Sequence, residues 1–232
     1  MSDPSASQVA VFGVVKESML LANFMVRLKV KQKRITEIET FVAREGESSV
    51  ANPQEMKVVN PVYNQMLEPS QRSNRSKMIV VANSYFEGIE KSAIDVPFHP
   101  NCNRYENGFQ TTNNPPTFAT GCKEQFDKKM FSYIKQVRNR RYLMVDEEKG
   151  LVFGLVVFDM LGKKEDFKNF SIHLDKLPSR FFKPRSMFLA EIFKIVDGQI
   201  LAIEALMVNA PLGATRLAEL VKMLRPSQKT RT

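Results

Sequence analysis

Residues 98–108 read Phe98-His-Pro-Asn-Cys-Asn-Arg-Tyr-Glu-Asn-Gly108, and the rest of the chain is organised around them. Pro100 and Asn101 predict a turn, followed by a short extended run. Arg104, Tyr105, Glu106 and Asn107 then set a guanidinium, a phenol, a carboxylate and an amide on four consecutive residues. So many hydrogen-bonding groups suit a pocket wall better than a core. Alternate side chains of an extended run share a face, so Tyr105 and Asn107 are expected to look into a cavity and Arg104 and Glu106 away from it.

Ahead of this stretch, from Asn74 or Ser76 onward, Met78, Ile79, Val81, Ala82, Tyr85, Phe86 and Ile89 recur at helical spacing and form one apolar stripe. Behind it, residues 111–121 carry Pro115-Pro116 and read as a loop, and a second helix is expected over about 122–134 with Phe126, Met130, Phe131 and Ile134 inward. The remainder reads as strands at 136–145, 150–160, 187–196 and 199–209. Asp146-Glu-Glu-Lys-Gly150 and Val196-Asp-Gly-Gln199 form the hairpin turns between them.

Three further strands are expected in residues 8–44, at 8–16, 20–31 and 35–44, with Lys31-Gln-Lys-Arg34 as a turn that lacks the usual Gly or Asn. Residues 45–73, with Pro53, Pro61 and Pro69, read as a linker, residues 74–213 as the main domain and residues 214–232 as a basic tail. The early strands repeat the late ones. Lys29, Ile35, Ile38 and Glu39 align without a gap on Lys194, Ile200, Ile203 and Glu204, and Val11-Phe-Gly-Val14 echoes Val152-Phe-Gly-Leu155. The first copy has no helices ahead of its strands, so its apolar face must pack on the second domain or on another subunit.

Composition sets the outer bounds. A 43% apolar chain can build a core, and no apolar run approaches the roughly 18 residues of a membrane span. The opening Met1-Ser-Asp-Pro-Ser-Ala-Ser7 has neither a basic start nor an apolar stretch, which makes a cytoplasmic protein the expectation. The 34 Lys and Arg against 25 Asp and Glu are scattered, and no helix-turn-helix, zinc-knuckle or aromatic-strand signature organises them for nucleic acid. Cys102 and Cys122 are expected as free, buried thiols in a reducing cytosol, with a disulfide the alternative for an exported protein. Two histidines and two cysteines at these spacings make no zinc site, and no phosphate-binding Gly-rich loop or Gly-x-Ser-x-Gly elbow is present.

The order of helix, strand, helix and long antiparallel sheet over roughly residues 72–213 resembles the SnoaL-like, cone-shaped α+β fold. Nuclear transport factor two, ketosteroid isomerase, scytalone dehydratase and limonene epoxide hydrolase share that fold. Asn83-Ser-Tyr-Phe-Glu-Gly-Ile-Glu90, Phe98–Gly108 and Arg140-Arg-Tyr-Leu-Met-Val-Asp-Glu-Glu-Lys-Gly150 look like a tandem SnoaL-like subgroup that includes cofactor-free lyases of lignin-derived diarylpropanes. The resemblance implies helices packed on a strongly curved antiparallel sheet, with a three-stranded partial repeat before them. It also implies a mostly apolar cone for a hydrophobic, aromatic small molecule, and acid–base chemistry by side chains without a cofactor. The expected activity is that of a lyase or isomerase, and the alternative is a non-catalytic module that binds a ligand or a protein partner; a homodimer is expected in either case.

The candidate residues follow from these two readings. Glu106 or His99 would act as base, and Asn107 and Arg141 would fix substrate oxygens, with Tyr85, Tyr105 and Arg104 binding substrate. Aligned by eye, Asn107 stands where ketosteroid isomerase keeps its catalytic carboxylate. An amide cannot act as a base, so Asn107 either orients an oxygen or satisfies backbone at the strand end. Arg141, followed by Leu143 and Val145, lies on an apolar face where a guanidinium needs a carboxylate or an anionic ligand.

Overall fold

The computed structural model describes residues 1–47, 50–91, 95–170, 175, 177 and 179–215. The described residues form two sheets and two α-helices. Strands β1 (Ser2–Asp3), β2 (Gln8–Glu17), β3 (Leu20–Lys31) and β4 (Arg34–Ala43) make an antiparallel sheet in sequence order. Strands β5 (Phe98–Glu106), β6 (Phe109–Gln110), β7 (Gln136–Asp146), β8 (Leu151–Met160), β9 (Arg185–Val196) and β10 (Gln199–Ala210) make a second sheet in the order β6-β5-β10-β9-β8-β7. Its pairs are antiparallel except β5 with β10, which run parallel. Helices α1 (Arg75–Lys91) and α2 (Cys122–Asp127) cover one face of this second sheet. The architecture is α+β, helices on an antiparallel sheet with an N-terminal partial repeat.

The alternation of the strands decides what lies where. On β9, Leu189, Phe193 and Ile195 pack toward the helices, while Phe188 and Ala190 pack toward the N-terminal sheet. On β10, Ile203, Ala205 and Met207 face the helices and Leu206 faces the other sheet. One core forms beneath α1 around Tyr85, Phe86 and Phe193, and another between the sheets around Met25, Phe41 and Phe153, with a smaller third cluster at Phe167, Leu177 and Phe181.

The internal repeat extends to hydrogen-bond register. Lys29 pairs with Glu37 and Val30 with Ile35, a one-residue bulge; Lys194 pairs with Ala202 and Ile195 with Ile200, the same bulge at the same aligned position. The two sheets lie back to back, so the equivalent residues Phe12 and Phe153 meet edge to face at 5.9 Å. Ile200 and Ile203 are fully buried beneath the helices, whereas their counterparts Ile35 and Ile38 are 56% and 63% exposed on the outer face of the first sheet.

Several expectations are corrected. The first sheet has a fourth, two-residue strand, β1. Residues 100 and 101 form no turn: β5 runs through them with a bulge, its pairing passing from Phe98–Ile200 to Asn103–Ala202. Pro100 has no N–H to give a ladder, so a bulge accommodates it. The second helix stops at Asp127 because Lys129 turns into left-handed backbone (φ 54°), although Met130, Phe131 and Ile134 are buried as expected.

Asn107 and Gly108 (φ 49° and 77°) make the two-residue turn of a β5–β6 hairpin that the Asn-Gly signal should have predicted. Cys102 and Cys122 are bonded, not free, with Cα atoms 5.8 Å apart, because the helix-facing side of β5 meets the first residue of α2. No described helix is long and apolar enough to cross a membrane. His173 and residues 216–232 of the expected tail lie outside the described residues.

Candidate functional site

The segment read as a linker is a strap with three short 3-10 turns, Glu55–Lys57, Pro61–Tyr63 and Pro69–Gln71. It is tied to the second sheet at both ends. Asn52 N donates to Asn107 O (2.8 Å), Leu67 N to Glu148 O (2.8 Å), and Lys194 Nζ to Gln65 O (2.7 Å). Gly108 lets the strap come this close, since a Cβ there would lie 2.4 Å from Asn52 O.

The strap, β1, the edge of β2 and the inter-sheet face of the second sheet line a half-open cavity of about 670 Å³. Phe12, Met56, Leu151 and Ile192 form apolar walls. Across the second sheet, Glu204 pairs in register with Ile192 on one side and Tyr105 on the other, so both polar side chains enter the cavity beside one another. Tyr63 and Glu55 of the strap complete this end. Asp146 and Lys149 stand at the other end, on and after β7, three strands from Glu204, or roughly 14 Å at the spacing of sheet strands.

On residues that line this cavity, two buried polar atoms have no hydrogen-bond partner among the described residues: Glu204 Oε1 and the Tyr63 hydroxyl. Burial pushes the Glu204 carboxyl up to about 8, against a hydrogen bond from the Gly108 N–H that favours its charged form. Burial, with the nearby Glu204 and Tyr105, also holds the Tyr63 phenol well above its ordinary range, and burial with Glu204 and Glu55 raises Tyr105. Glu204 near neutral pH is therefore a carboxylic acid that can exchange its proton, flanked by two neutral phenols.

Of the seven residues singled out in the sequence, Tyr105 lines this cavity. Arg104 and Glu106 face away from this cavity, on the helix-covered side, next to Cys102 with its bond to Cys122; what is corrected is the place of the cavity, expected beneath the helices and found on the inter-sheet face. Arg104 is buried, its Nε donating to Glu106 Oε1 (2.8 Å) and an NH2 group to Gln125 Oε1 (2.6 Å), with its guanidinium 4.8 Å from the Phe131 ring centre. Tyr85 is packed among the rings of Phe86, Phe98, Phe126 and Phe193. Asn107 spends its side-chain amide on backbone: Nδ2 donates to Val50 O and Met207 O, and Oδ1 accepts from Met207 N. His99 Nδ1 accepts from Asn101 N within the bulge. Arg141 reaches across to Glu39 of the first sheet at 2.6 Å.

A second buried carboxyl, Glu191, lies beneath the helices. It pairs in register with the small residues Ala205 and Gly154, which lead to Glu106 and Tyr142 in the same row. Burial pushes Glu191 up to about 8, with Glu106 adding to the rise and Arg104 opposing it. Neither Glu191 nor Glu204 was singled out for a site, nor was Tyr63. The available signal was a carboxylate inside an otherwise apolar strand: Glu191 within Phe188-Leu-Ala-Glu-Ile192, and Glu204 within Ile200-Leu-Ala-Ile-Glu-Ala-Leu-Met207. Among the described residues, no group of three or more His, Cys, Asp or Glu is placed to hold a metal ion.

Fold and cavity together define the class: an α+β chain, helices on one face of a sheet and a half-apolar cavity with a buried carboxyl on the other. Residues 71–207, more than half of the sequence, match the family described as Domain of unknown function (DUF8021), and the chain belongs to that family. No curated protein matches the sequence.

Among solved structures, a protein named as a SnoaL-like polyketide cyclase from Jannaschia sp. CCS1 is 13% identical, with 70% of this chain and 99% of that one covered at a TM-score of 0.38. PrhC from Penicillium brasilianum NBRC 6234 is 14% identical, with 58% and 82% covered and a TM-score of 0.35. A de novo designed protein with a curved β-sheet is 12% identical, with 65% and 96% covered and the same TM-score of 0.35. Likenesses this distant carry no argument about chemistry.

Proposed function

We propose that this protein takes a hydrophobic, aromatic small molecule into the cavity between its sheets and acts on it by acid–base chemistry, as a cofactor-independent lyase or isomerase. The observation that carries the reading is the pair of buried polar atoms without a partner among the described residues, Glu204 Oε1 and the Tyr63 hydroxyl, on two residues that line a 670 Å³ cavity. A buried polar atom without a partner is costly, and a ligand group that satisfies both atoms recovers that cost on binding. Glu204 is the proton-exchanging group in this reading, and Tyr63 and Tyr105 hydrogen-bond the ligand's polar group. Valines and Met56 on the walls supply contact for an apolar body.

The same cavity supports a second reading, in which the protein binds the molecule without converting it. The bonded Cys102–Cys122 pair favours an oxidising compartment over the reducing cytosol. The exposed apolar face carrying Val11, Ile35 and Ile38 favours association of two copies through the first sheet.

The experiment is a screen of aromatic ketones, alcohols and amines by thermal shift and by turnover, with wild type, Glu204→Gln and Tyr63→Phe. A ligand that stabilises the wild type, loses affinity in both variants and is consumed only when Glu204 is present supports the lyase or isomerase reading. Binding without consumption leaves the binding reading. No binding by any class of compound overturns both.

A further inference from the structure

The polar end of the cavity has an unbalanced charge. The protein carries a formal +9, yet the groups on the residues that line this cavity include three acids, Glu55, Asp146 and Glu204, against two bases, Lys149 and the N-terminal ammonium of Met1. That ammonium donates to Ala10 O at 2.9 Å and lies toward Asp146 and Lys149. Lys149 lies at the far end with Asp146. Lys194, on β9, uses its ammonium group on Gln65 O and Lys149 O, at 2.7 Å each. Around Glu204 itself stand Ile192 and Tyr105 in register, Gly108 from the β5–β6 turn, and Tyr63 and Glu55 from the strap. None of these is a cation. A buried carboxyl with no counter-ion among the described residues and two tyrosines as neighbours has the make-up of an ammonium site: the carboxylate supplies the opposite charge, and aromatic rings attract cations.

Resting on the cavity reading above and deepening it, we infer that the ligand is a hydrophobic amine. Its ammonium group is held by Glu204 between Tyr63 and Tyr105, and its apolar body lies along Phe12, Met56 and Ile192. Glu55 adds negative potential at the same end. Burial keeps the Glu204 proton on in the free protein up to about pH 8. An arriving ammonium ion reverses that balance, so Glu204 loses its proton to solvent as the cation docks. No bond other than this O–H is broken.

The test uses tryptamine and tryptophol, which share an indole and differ in a terminal ammonium against a hydroxyl. The protein has no tryptophan, so indole fluorescence reports binding directly. Tryptamine is expected to bind about tenfold or more tighter than tryptophol, the size of a desolvated cation–π contact. Calorimetry near neutral pH, in buffers of different ionisation enthalpy, should show about one proton released per tryptamine. Glu204→Gln should remove both the preference and the proton release while leaving the thermal unfolding midpoint no lower. Equal binding of the two probes, or tryptamine binding unchanged in Glu204→Gln, overturns the amine inference and leaves the cavity reading intact. Binding of neither probe overturns the inference, and the broader screen then decides whether the cavity reading falls with it.

Discussion

Asn107 pairs with the backbone of Met207 through its side chain: Oδ1 accepts from Met207 N at 2.8 Å and Nδ2 donates to Met207 O at 3.2 Å. The amide thus stands in for one more residue of β5 beside β10, just where the main chain has turned away into the left-handed Asn107–Gly108 turn. Its Nδ2 also donates to Val50 O at 3.0 Å, which ties down the strap. Asn107→Ala removes three hydrogen bonds, two of them buried and one partly buried, and should cost about 2–4 kcal/mol in urea unfolding. Asn107→Asp, of the same shape, should lose as much, because a carboxylate cannot donate to the two carbonyls. A loss below about 1 kcal/mol would show that these bonds do not hold the strap.

Glu191 and Glu204 make stability fall as pH rises. Each is held up to about 8 by burial, while in the unfolded chain a glutamate titrates near 4.3. Between those values the unfolded chain has released protons that the folded chain keeps, so each carboxyl removes up to about 1.4 kcal/mol per pH unit. Above about pH 8 this contribution levels off. The double variant Glu191→Gln, Glu204→Gln should flatten the urea midpoint between roughly pH 5 and pH 8. A wild-type profile that rises across this range would overturn the assignment.

Asp3 acts in the opposite direction at low pH. Burial raises its carboxyl, but hydrogen bonds from Ser5, Val145 N and Arg75 outweigh this and bring it to about 2. Its folded value lies below the unfolded one, so its stabilisation is present above about pH 4 and is lost as pH falls through about 2. Asp3→Asn should therefore be destabilising near neutral pH and close to neutral in effect near pH 2, read from the same unfolding curves.

The Cys102–Cys122 bond closes a loop over 20 residues, from β5 to the start of α2. Reduction, or the double Cys→Ser variant, should cost about 3 kcal/mol and lower the thermal midpoint. Free-thiol titration of the purified protein should find none before reduction. Two titratable thiols in the native protein would refute the bond.

The β3–β4 turn holds Gln32 and Lys33 in left-handed backbone (φ 48° and 61°) without a glycine or asparagine. Lys33→Gly should stabilise the protein by about 1 kcal/mol, because only glycine takes that conformation without a steric penalty. The half-exposed Arg141–Glu39 pair should contribute little, so Arg141→Ala should change stability by less than about 1 kcal/mol.

Much of the fold was legible because local chemistry specified it. The apolar stripe from Met78 to Ile89 specified α1, the Asp197-Gly198 pair specified the last hairpin, and the ungapped match of Lys29–Glu39 to Lys194–Glu204 specified a repeat that extends to its β-bulge. The candidate site was much less so. A period of two establishes that Tyr105 and Arg104 face opposite ways. It does not say which of the two faces will be covered by helices.

That choice belongs to the tertiary structure. The Cys102–Cys122 bond turns the even-numbered face of β5 toward α2, and the back-to-back packing of the two sheets leaves the odd-numbered face looking into the cavity. Sequence alone determined the strands other than the two-residue β1 and β6, the first helix, the repeat and the polar character of residues 104–107. Bringing Glu204, Tyr105 and a tyrosine from an apparent linker to one wall took contacts across 141 residues of chain, and no local pattern records how far apart in sequence two neighbours in space will be.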